Sequence, residues 1–159
     1  MESWDVLVLG EGPAALRAAI AASDAGARPL LVSGSSVGVA SGFPPISGFS
    51  ASLNETSPSA HIEDTISAGG DHTDKEAVAR ICGSAVEALS ELERWGLVLR
   101  RSKDGLPHMA DISGHSFPRE AGCGDSTIRE VTRTLEEQTM KRGINRKSDL
   151  LPVALVMDN

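Results

Sequence analysis

The sequence predicts an α/β fold of the Rossmann-like type, in which helices cover a parallel sheet. Residues Trp4–Leu9 (WDVLVL) form a short, almost wholly apolar run that ends at a glycine, as expected for a parallel strand buried on both faces. Residues 13–25 are rich in Ala and Leu, begin with Pro13 and stop before Gly26, which predicts a helix. Residues 29–33 (PLLVS) are a second short apolar run. These segments together predict one right-handed βαβ unit.

The middle of the chain predicts a long loop followed by two helices. Residues 34–59 are rich in Gly, Ser and Pro and are expected to form a loop that orders around a ligand. Helical spacing appears at residues 61–68 and again at 74–95, where Asp74 is the expected N-cap. The second of these helices is indicated by apolar residues that recur at threes and fours, namely Ala77, Ile81, Ala85, Leu89 and Leu92.

The last third predicts a strand with a turn, a helix and a closing strand. Residues 97–101 are expected to form a strand that enters a tight turn at 103–105. A glycine-rich loop at 113–124 precedes an amphipathic helix at 126–141, whose charged residues are spaced as solvated i,i+4 pairs. Residues 150–157 (LLPVALVM) are apolar and are expected to form the closing strand.

Composition and charge favour a small-molecule ligand. A formal net charge of −7 disfavours nucleic acid as a partner, because such a surface needs clustered Lys and Arg. Cys82 and Cys123 lie far apart without CxxC spacing, so we expect neither a metal site nor a disulfide. The N-terminus lacks the pattern of a signal peptide, and no apolar run approaches a membrane span. We therefore expect a cytoplasmic location without direct membrane insertion.

The sequence GEGPAA, set between the first strand and the first helix, matches the GxGxxG/A fingerprint of dinucleotide-binding folds. Gly10 permits the tight turn, Gly12 lets the backbone approach a pyrophosphate, and Ala15 allows the helix to pack on the strand. Pro13 and Ala14 begin the helix, whose N-terminal N–H groups and partial positive charge favour phosphates. The motif predicts a dinucleotide but does not choose between FAD and NAD.

The second strand lacks the acidic residue that normally binds the adenine ribose of NAD. Ser33 and Gly34 stand at that position, which weakens an interpretation as a plain NAD-dependent dehydrogenase. The alternative that remains open is that Glu11 or a backbone group binds the ribose.

Six segments resemble, in order and spacing, the flavoprotein subunits of succinate dehydrogenase and fumarate reductase, thiol:fumarate reductase and L-aspartate oxidase. They are GEGPAALRAA, PLLVS, the Gly/Ser loop, HIEDTISAGG, ALSELERWGL and GHSFPREAGCGDSTIREVTRTL. The resemblance implies an FAD-dependent oxidoreductase that interconverts succinate and fumarate or oxidises a related dicarboxylate such as L-aspartate. It also implies that the dicarboxylate-binding residues and the capping domain lie beyond residue 159, so the chain alone is expected to be inactive.

The expected organisation is a partial FAD-binding domain over residues 1–159, incomplete at its C-terminus. It comprises a βαβ dinucleotide unit at 1–33, a flavin-side loop at 34–59, a helical and hairpin insertion at 60–125, and a helix and closing strand at 126–159. The resemblance further implies a role in electron transport together with a partner that carries iron–sulfur clusters, and through that iron–sulfur subunit a peripheral place at the inner face of a membrane.

The loop after the second strand bears on how the flavin is held. In respiratory members of the family a histidine in this loop bonds covalently to FAD and is followed by Gln-Gly-Gly. Ser41 stands at the histidine position, and no histidine occurs between residues 1 and 60, so FAD is expected to be non-covalent, as in L-aspartate oxidase. The cofactor contacts predicted beyond the glycine-rich motif are Ser33, Ser41, Gly42, Ser47 and Gly48.

The resemblance also indicates residues on the substrate side of the flavin. His115, within GHSFPR, and Ile112 are predicted to lie near the substrate. The alternative for His115 is a hydrogen-bonded structural role. Arg119 is interpreted either as a carboxylate ligand or as a structural partner of Glu120 or Asp125. Surface or loop positions are expected for His61, His72 and His108.

Two other classes of function stay open on the sequence alone. One is a non-catalytic or degenerate nucleotide-binding module, in which the loop that carries Ile46-Ser47-Gly48 at the position of Gln-Gly-Gly no longer seats a flavin. The other is a different FAD-dependent reductase of the same fold, such as a ketosteroid dehydrogenase or an adenylylsulfate reductase subunit.

Overall fold

A computed structural model describes residues 2–34 and 46–157. The chain divides into two compact units, the first formed by Met1–Pro44 with Arg129–Asn159 and the second by Pro45–Ile128. In chain order the elements are β1 (Val6–Leu9), α1 (Pro13–Asp24), β2 (Pro29–Val32), β3 (Phe49–Ser50), α2 (Ser59–Gly69), a 3₁₀ turn (Gly70–His72), α3 (Lys75–Arg94), β4 (Glu120–Ala121), α4 (Thr127–Lys141) and β5 (Asn145–Lys147).

The first unit contains a parallel three-stranded sheet in the order β1–β2–β5. β1 pairs with β2 from Val6 opposite Pro29 to Leu9 opposite Val32. α1 packs on both strands and buries Leu16, Ala19 and Ile20. The predicted βαβ unit and the α/β fold class are therefore confirmed.

β1 is not buried on both faces as the sequence predicted. Leu7 and Leu9 are 57% and 51% exposed, whereas all four residues of β2 are buried. β2 lies between two strands, while β1 pairs with β2 alone among the described residues. An apolar run specifies a strand, but which layers cover its two faces depends on the rest of the fold.

The closing strand lies earlier in the chain than predicted. β5 is the polar segment Asn145–Lys147, which pairs in parallel with β2. Residues 150–157, all described, form no strand and are exposed. Leu150 N–H donates to the carbonyl of Ser33 at 3.1 Å, and strand pairing does not continue beyond this bond. The edge of β2 is already taken by β5, and a strand needs a backbone partner as well as apolar side chains.

The second unit contains α2 packed against α3. Asp74 caps α3 as predicted, because its carboxylate accepts hydrogen bonds from the N–H groups of Glu76 and Ala77 at 3.0 Å. The buried stripe of α3 runs through Cys82 and Leu89, whereas Ile81, one of the apolar residues at helical spacing, is 68% exposed. Adjacent residues differ by about 100° around a helix, so the packing of α2 decides which of two apolar neighbours turns inward.

Two segments that were predicted as loops form a small antiparallel ladder instead. Phe49 pairs with Ala121 and Ser50 with Glu120. Residues 97–101, predicted as a strand, form an isolated bridge between Arg101 and Pro107 around the expected tight turn.

The charged face of α4 is confirmed as a set of solvated pairs. Arg133 binds Glu130 at 3.0 Å and also binds Glu137 one turn further on. Among residues 2–34 and 46–157, no helix is long and apolar enough to cross a membrane.

Candidate functional site

The glycine-rich turn lies at the carboxyl ends of the parallel strands, where ligands bind in open α/β sheets. Gly10 follows β1 with a φ of +144°, a conformation that L side chains rarely adopt. Its N–H donates to the carbonyl of Val32 at 2.9 Å, which anchors the turn to β2. A Cβ at position 10 would lie 3.1 Å from the Cβ of Ala15. Glycine at 10 and alanine at 15 therefore allow α1 to begin directly against β1.

The N-terminus of α1 offers backbone donors to an anion. Gly12 is the N-cap and contributes no capping side chain, and Pro13 occupies the first helical turn. The N–H groups of Ala14 and Ala15 follow in that turn, where a helix has no carbonyl of its own to bind. No acidic residue lies in the first turn. These features suit the negative charge of a pyrophosphate.

Ser33 lies at the same edge of the sheet, at the carboxyl end of β2. It is 2% exposed, and its N–H donates to the carbonyl of Lys147 at 3.1 Å. The structure thus brings Ser33 to the strand end next to the glycine-rich turn, with a hydroxyl instead of a carboxylate at this position. Two further predicted contacts, Ser41 and Gly42, lie outside the described residues.

This arrangement defines a dinucleotide-binding α/β domain. A family model described as the FAD binding domain matches residues 5–159. The chain therefore belongs to the FAD binding domain family, and FAD is its cofactor. The glycine-rich turn of the first unit suits the pyrophosphate of that cofactor, because Gly10 and Ala15 let α1 begin against β1 and Gly12 places no side chain over the α1 N-terminus.

Named relatives support the resemblance expected from the sequence. The chain is 30% identical over 165 residues to a subunit of fumarate reductase (CoM/CoB) from Methanothermobacter marburgensis, covering 98% of the chain and 29% of that protein. It is 31% identical over 156 residues to L-aspartate oxidase of Streptomyces coelicolor, covering 97% of the chain and 27% of that protein. The Sdh1 complex of Mycobacterium smegmatis in the apo form matches with a TM-score of 0.85 and 28% identity, over 92% of this chain and 27% of that one.

The chain spans under a third of the length of each of these proteins. The expected resemblance to succinate dehydrogenase and fumarate reductase flavoproteins and to L-aspartate oxidase is confirmed. These relatives are FAD-dependent oxidoreductases.

Ser47 and Gly48 lie in the second unit, where two backbone segments approach closely. A Cβ on Gly48 would clash with the side chain of Glu120, and a Cβ on Gly122 would overlap the carbonyl oxygen of Ser47. The hydroxyl of Ser47 donates to Glu120 at 2.8 Å. The glycines at positions 48 and 122 are visible in the sequence and indicate close backbone approaches. The sequence does not show which segment each of them approaches. The role of Ser47 and Gly48 at the flavin stays a prediction.

Arg119 is fully buried and is bound to two carboxylates far away in the sequence. Its Nε and Nη2 donate to the two oxygens of Glu55 at 2.9 and 3.0 Å, and its Nη1 donates to Asp64 at 2.5 Å. The structural role is therefore correct, but the predicted partners Glu120 and Asp125 are wrong. The sequence shows only which carboxylates lie near Arg119 along the chain. In the folded chain the carboxylates that contact Arg119 come from α2 and from the segment before it.

We define the arginine cluster as Glu55, Asp64, His115 and Arg119. Within it, the carboxylate of Asp64 is kept ionised by the hydrogen-bond donors that surround it. Ser116 donates to the carboxylate of Asp64 from both its backbone N–H and its hydroxyl, each at 2.7 Å. The N–H of Ser116, followed by Arg119, lowers the pKa of Asp64 well below its usual range. The ionised Asp64 stabilises the folded state fully above the ordinary Asp pKa of about 4. This contribution to folding stability is lost as the pH falls below that value toward the lowered pKa of the folded state.

His61 is buried within α2, so the prediction of a surface position was wrong. The residue is 6% exposed, and its Nδ1 lies 3.3 Å from the hydroxyl of Ser52. Burial, followed by the charge of Arg119, lowers the pKa of His61 below its ordinary value of 6.5. His72 and His108 are exposed, as predicted.

The lowered pKa of His61 predicts a pH-dependent stability. The unfolded chain binds this proton more readily than the folded chain, so stability is complete above about pH 6.5 and falls as the pH decreases through that value. We expect the thermal midpoint to drop between pH 7.5 and 5.5 in the wild type and to drop less in His61→Gln. The matched control is His72→Gln, which should keep the wild-type slope. Equal slopes in all three proteins would contradict this assignment.

His115 is half-buried and is joined to Ile112 through a turn. The N–H of His115 donates to the carbonyl of Ile112 at 3.3 Å, and its Nδ1 lies 2.9 Å from Nη1 of Arg119. Its ring centroid is 6.1 Å from that of His61. The two imidazoles lie along one cavity of about 320 Å³ within the second unit, which is also lined by Ser50, Asp64 and Ser113. The position of His115 and Ile112 beside a substrate stays a prediction.

Proposed function

We propose that this chain binds FAD non-covalently through the glycine-rich turn of the first unit and serves an oxidoreductase that acts on a four-carbon dicarboxylate. The observation that carries the proposal is the turn itself, in which Gly10 and Ala15 meet at the carboxyl edge of a parallel sheet. Two of the named relatives support the substrate class, since one is a subunit of a fumarate reductase and the other an L-aspartate oxidase.

In this proposal the chain supplies binding and orientation, and FAD when bound supplies the hydride chemistry at its N5. Gly10, Gly12, Ala14 and Ala15 hold the pyrophosphate through backbone contacts, with Pro13 setting the start of α1. Ser33 contacts the adenosine side, while Ser41, Gly42, Ser47 and Gly48 contact the flavin side. His115 and Ile112 lie toward the substrate, where hydride transfer interconverts succinate and fumarate or oxidises L-aspartate.

We further propose that electrons leave the flavin through an iron–sulfur subunit. Similarity to a chain of the Sdh1 complex supports assembly with a partner subunit, and the family resemblance implies that this partner carries iron–sulfur clusters. In this proposal the chain is cytoplasmic, and such a partner would hold it peripherally at the inner face of the membrane. Co-purification of an iron–sulfur protein with a tagged form of this protein would test the assignment.

A dye-linked assay with succinate, fumarate and L-aspartate tests the activity. We expect turnover with one of them in a protein that carries this chain together with a dicarboxylate-binding region. Residues 1–159 alone should bind FAD with micromolar or weaker affinity and reduce no fumarate, because the proposed contacts cover only part of the cofactor and binding must offset the cost of association. Fumarate turnover by residues 1–159 that is lost in His115→Ala would overturn this account of the active site.

The flavin is expected to be released by acid. Ser41 replaces the histidine that would form a covalent bond, and a serine hydroxyl at this position provides no such link. Holoprotein precipitated with acid should leave all of its yellow colour in the supernatant. Flavin that stays with the washed pellet would contradict non-covalent binding.

A further inference from the structure

We propose that Arg119 is a positioning residue that holds His115 in one neutral tautomer, with its proton on Nε2. His115 then presents a fixed N–H donor to an oxygen acceptor such as a carboxylate or a carbonyl. The assignment of that acceptor as the substrate rests on the proposed function, whereas the tautomer itself follows from the geometry of the arginine cluster.

The tautomer follows from what each nitrogen can do. A guanidinium carries only donors and stays charged in proteins, so Nη1 of Arg119 donates across the 2.9 Å that separate it from Nδ1 of His115. The Nδ1 atom must therefore carry a lone pair. A neutral imidazole with an unprotonated Nδ1 has its proton on Nε2. A doubly protonated ring would lose this hydrogen bond and place a second cation against Arg119.

Arg119 is held so firmly that it fixes the ring beside it. Its side chain is 0% exposed, its fork binds both oxygens of Glu55, and its Nη1 also binds Asp64. Its carbonyl accepts the N–H of Ala51 at 2.9 Å. Since the guanidinium is committed to Glu55, Asp64 and His115, rotation toward another acceptor would leave two carboxylates without their cation.

The other side of the imidazole is available for a ligand. Nε2 of His115 makes no hydrogen bond to any residue in the described parts of the chain, and the ring lies along the 320 Å³ cavity. The groups that face this cavity include His61, Ser50 and Ser113. A neutral N–H donor can bind an oxygen atom there without adding positive charge next to Arg119. The structure therefore assigns His115 the chemistry of a directed neutral donor.

Nitrogen NMR of the histidine side chains tests this proposal without any need for activity. The chain has four histidines, so long-range 15N–1H correlation spectra are simple to assign by substitution. At pH 7.5 we expect His115 to show a protonated Nε2, an unprotonated Nδ1 and a 15N–15N coupling from Nδ1 to Nη1 of Arg119. Exposed His72 is the internal reference and should average between tautomers. A protonated Nδ1 at His115, or the same tautomer averaging at His115 as at His72, would overturn the proposal.

Variants separate positioning from general structural support. Arg119→Lys retains a donor and should preserve the unprotonated Nδ1, whereas Arg119→Met should let His115 average like His72. If Arg119→Met fails to fold, the wild-type tautomer still decides the question. Titration with succinate, in a protein that carries this chain together with a dicarboxylate-binding region, tests the proposed function separately. A shift at Nε2 of His115 supports it, and an unchanged signal with the fixed tautomer intact would count against the substrate assignment alone.

Discussion

Gly12→Val is expected to abolish measurable FAD binding while the chain remains folded. Gly12 has a φ of −86° and a ψ of 178°, an extended conformation that valine adopts without strain. The valine side chain would instead occupy the space in front of the α1 N-terminus, where the pyrophosphate meets the backbone N–H groups. We expect a loss of affinity of at least roughly 100-fold, or about 2.8 kcal/mol.

Gly26→Ala is the matched control for that substitution. Gly26 ends α1 with a φ of +84°, and a Cβ there would meet no atom within 4 Å. Alanine should therefore cost about 1 kcal/mol of stability through backbone strain and leave FAD affinity unchanged. Flavin fluorescence titration measures affinity, and circular dichroism confirms folding. Full FAD stoichiometry in folded Gly12→Val would show that the fingerprint does not contact the cofactor.

Arg119→Met is expected to lower the free energy of unfolding by about 3 to 5 kcal/mol. The substitution keeps much of the volume of the side chain but leaves Glu55 and Asp64 without the cation that they share. Removal of one partner from a buried ion pair is costly because the remaining charge stays desolvated and uncompensated. For a chain of this size the thermal midpoint should fall by roughly 10 °C.

Arg133→Met serves as the control, because Arg133 is an exposed arginine that also pairs with two glutamates. Its partners are Glu130 and Glu137 on α4, and its side chain is 47% exposed. Solvent screens such pairs, so this substitution should change stability by less than about 1 kcal/mol. Guanidinium chloride titrations of both variants provide the comparison. A similar small effect at both positions would contradict the buried, shared role of Arg119.

The sequence alone predicted the features that depend on residues close together along the chain. Gly10, Gly12 and Ala15 identified the turn and its ligand class, because backbone freedom and small side chains are properties of those residues wherever they occur. The cap at Asp74 and the charged pairs of α4 were equally predictable, since each depends on residues within four positions of one another.

Only the tertiary structure decided which distant residues meet. The apolar run at 150–157 looked like a strand, yet the polar residues Asn145–Lys147 took the edge of β2. Arg119 forms ion pairs with Glu55 and Asp64 instead of with its sequence neighbours. The burial of His61 results from packing within the second unit. Long-range pairing depends on which elements can supply hydrogen-bond partners to one another's backbone groups and opposite charges to one another's side chains. A local sequence pattern does not contain this information.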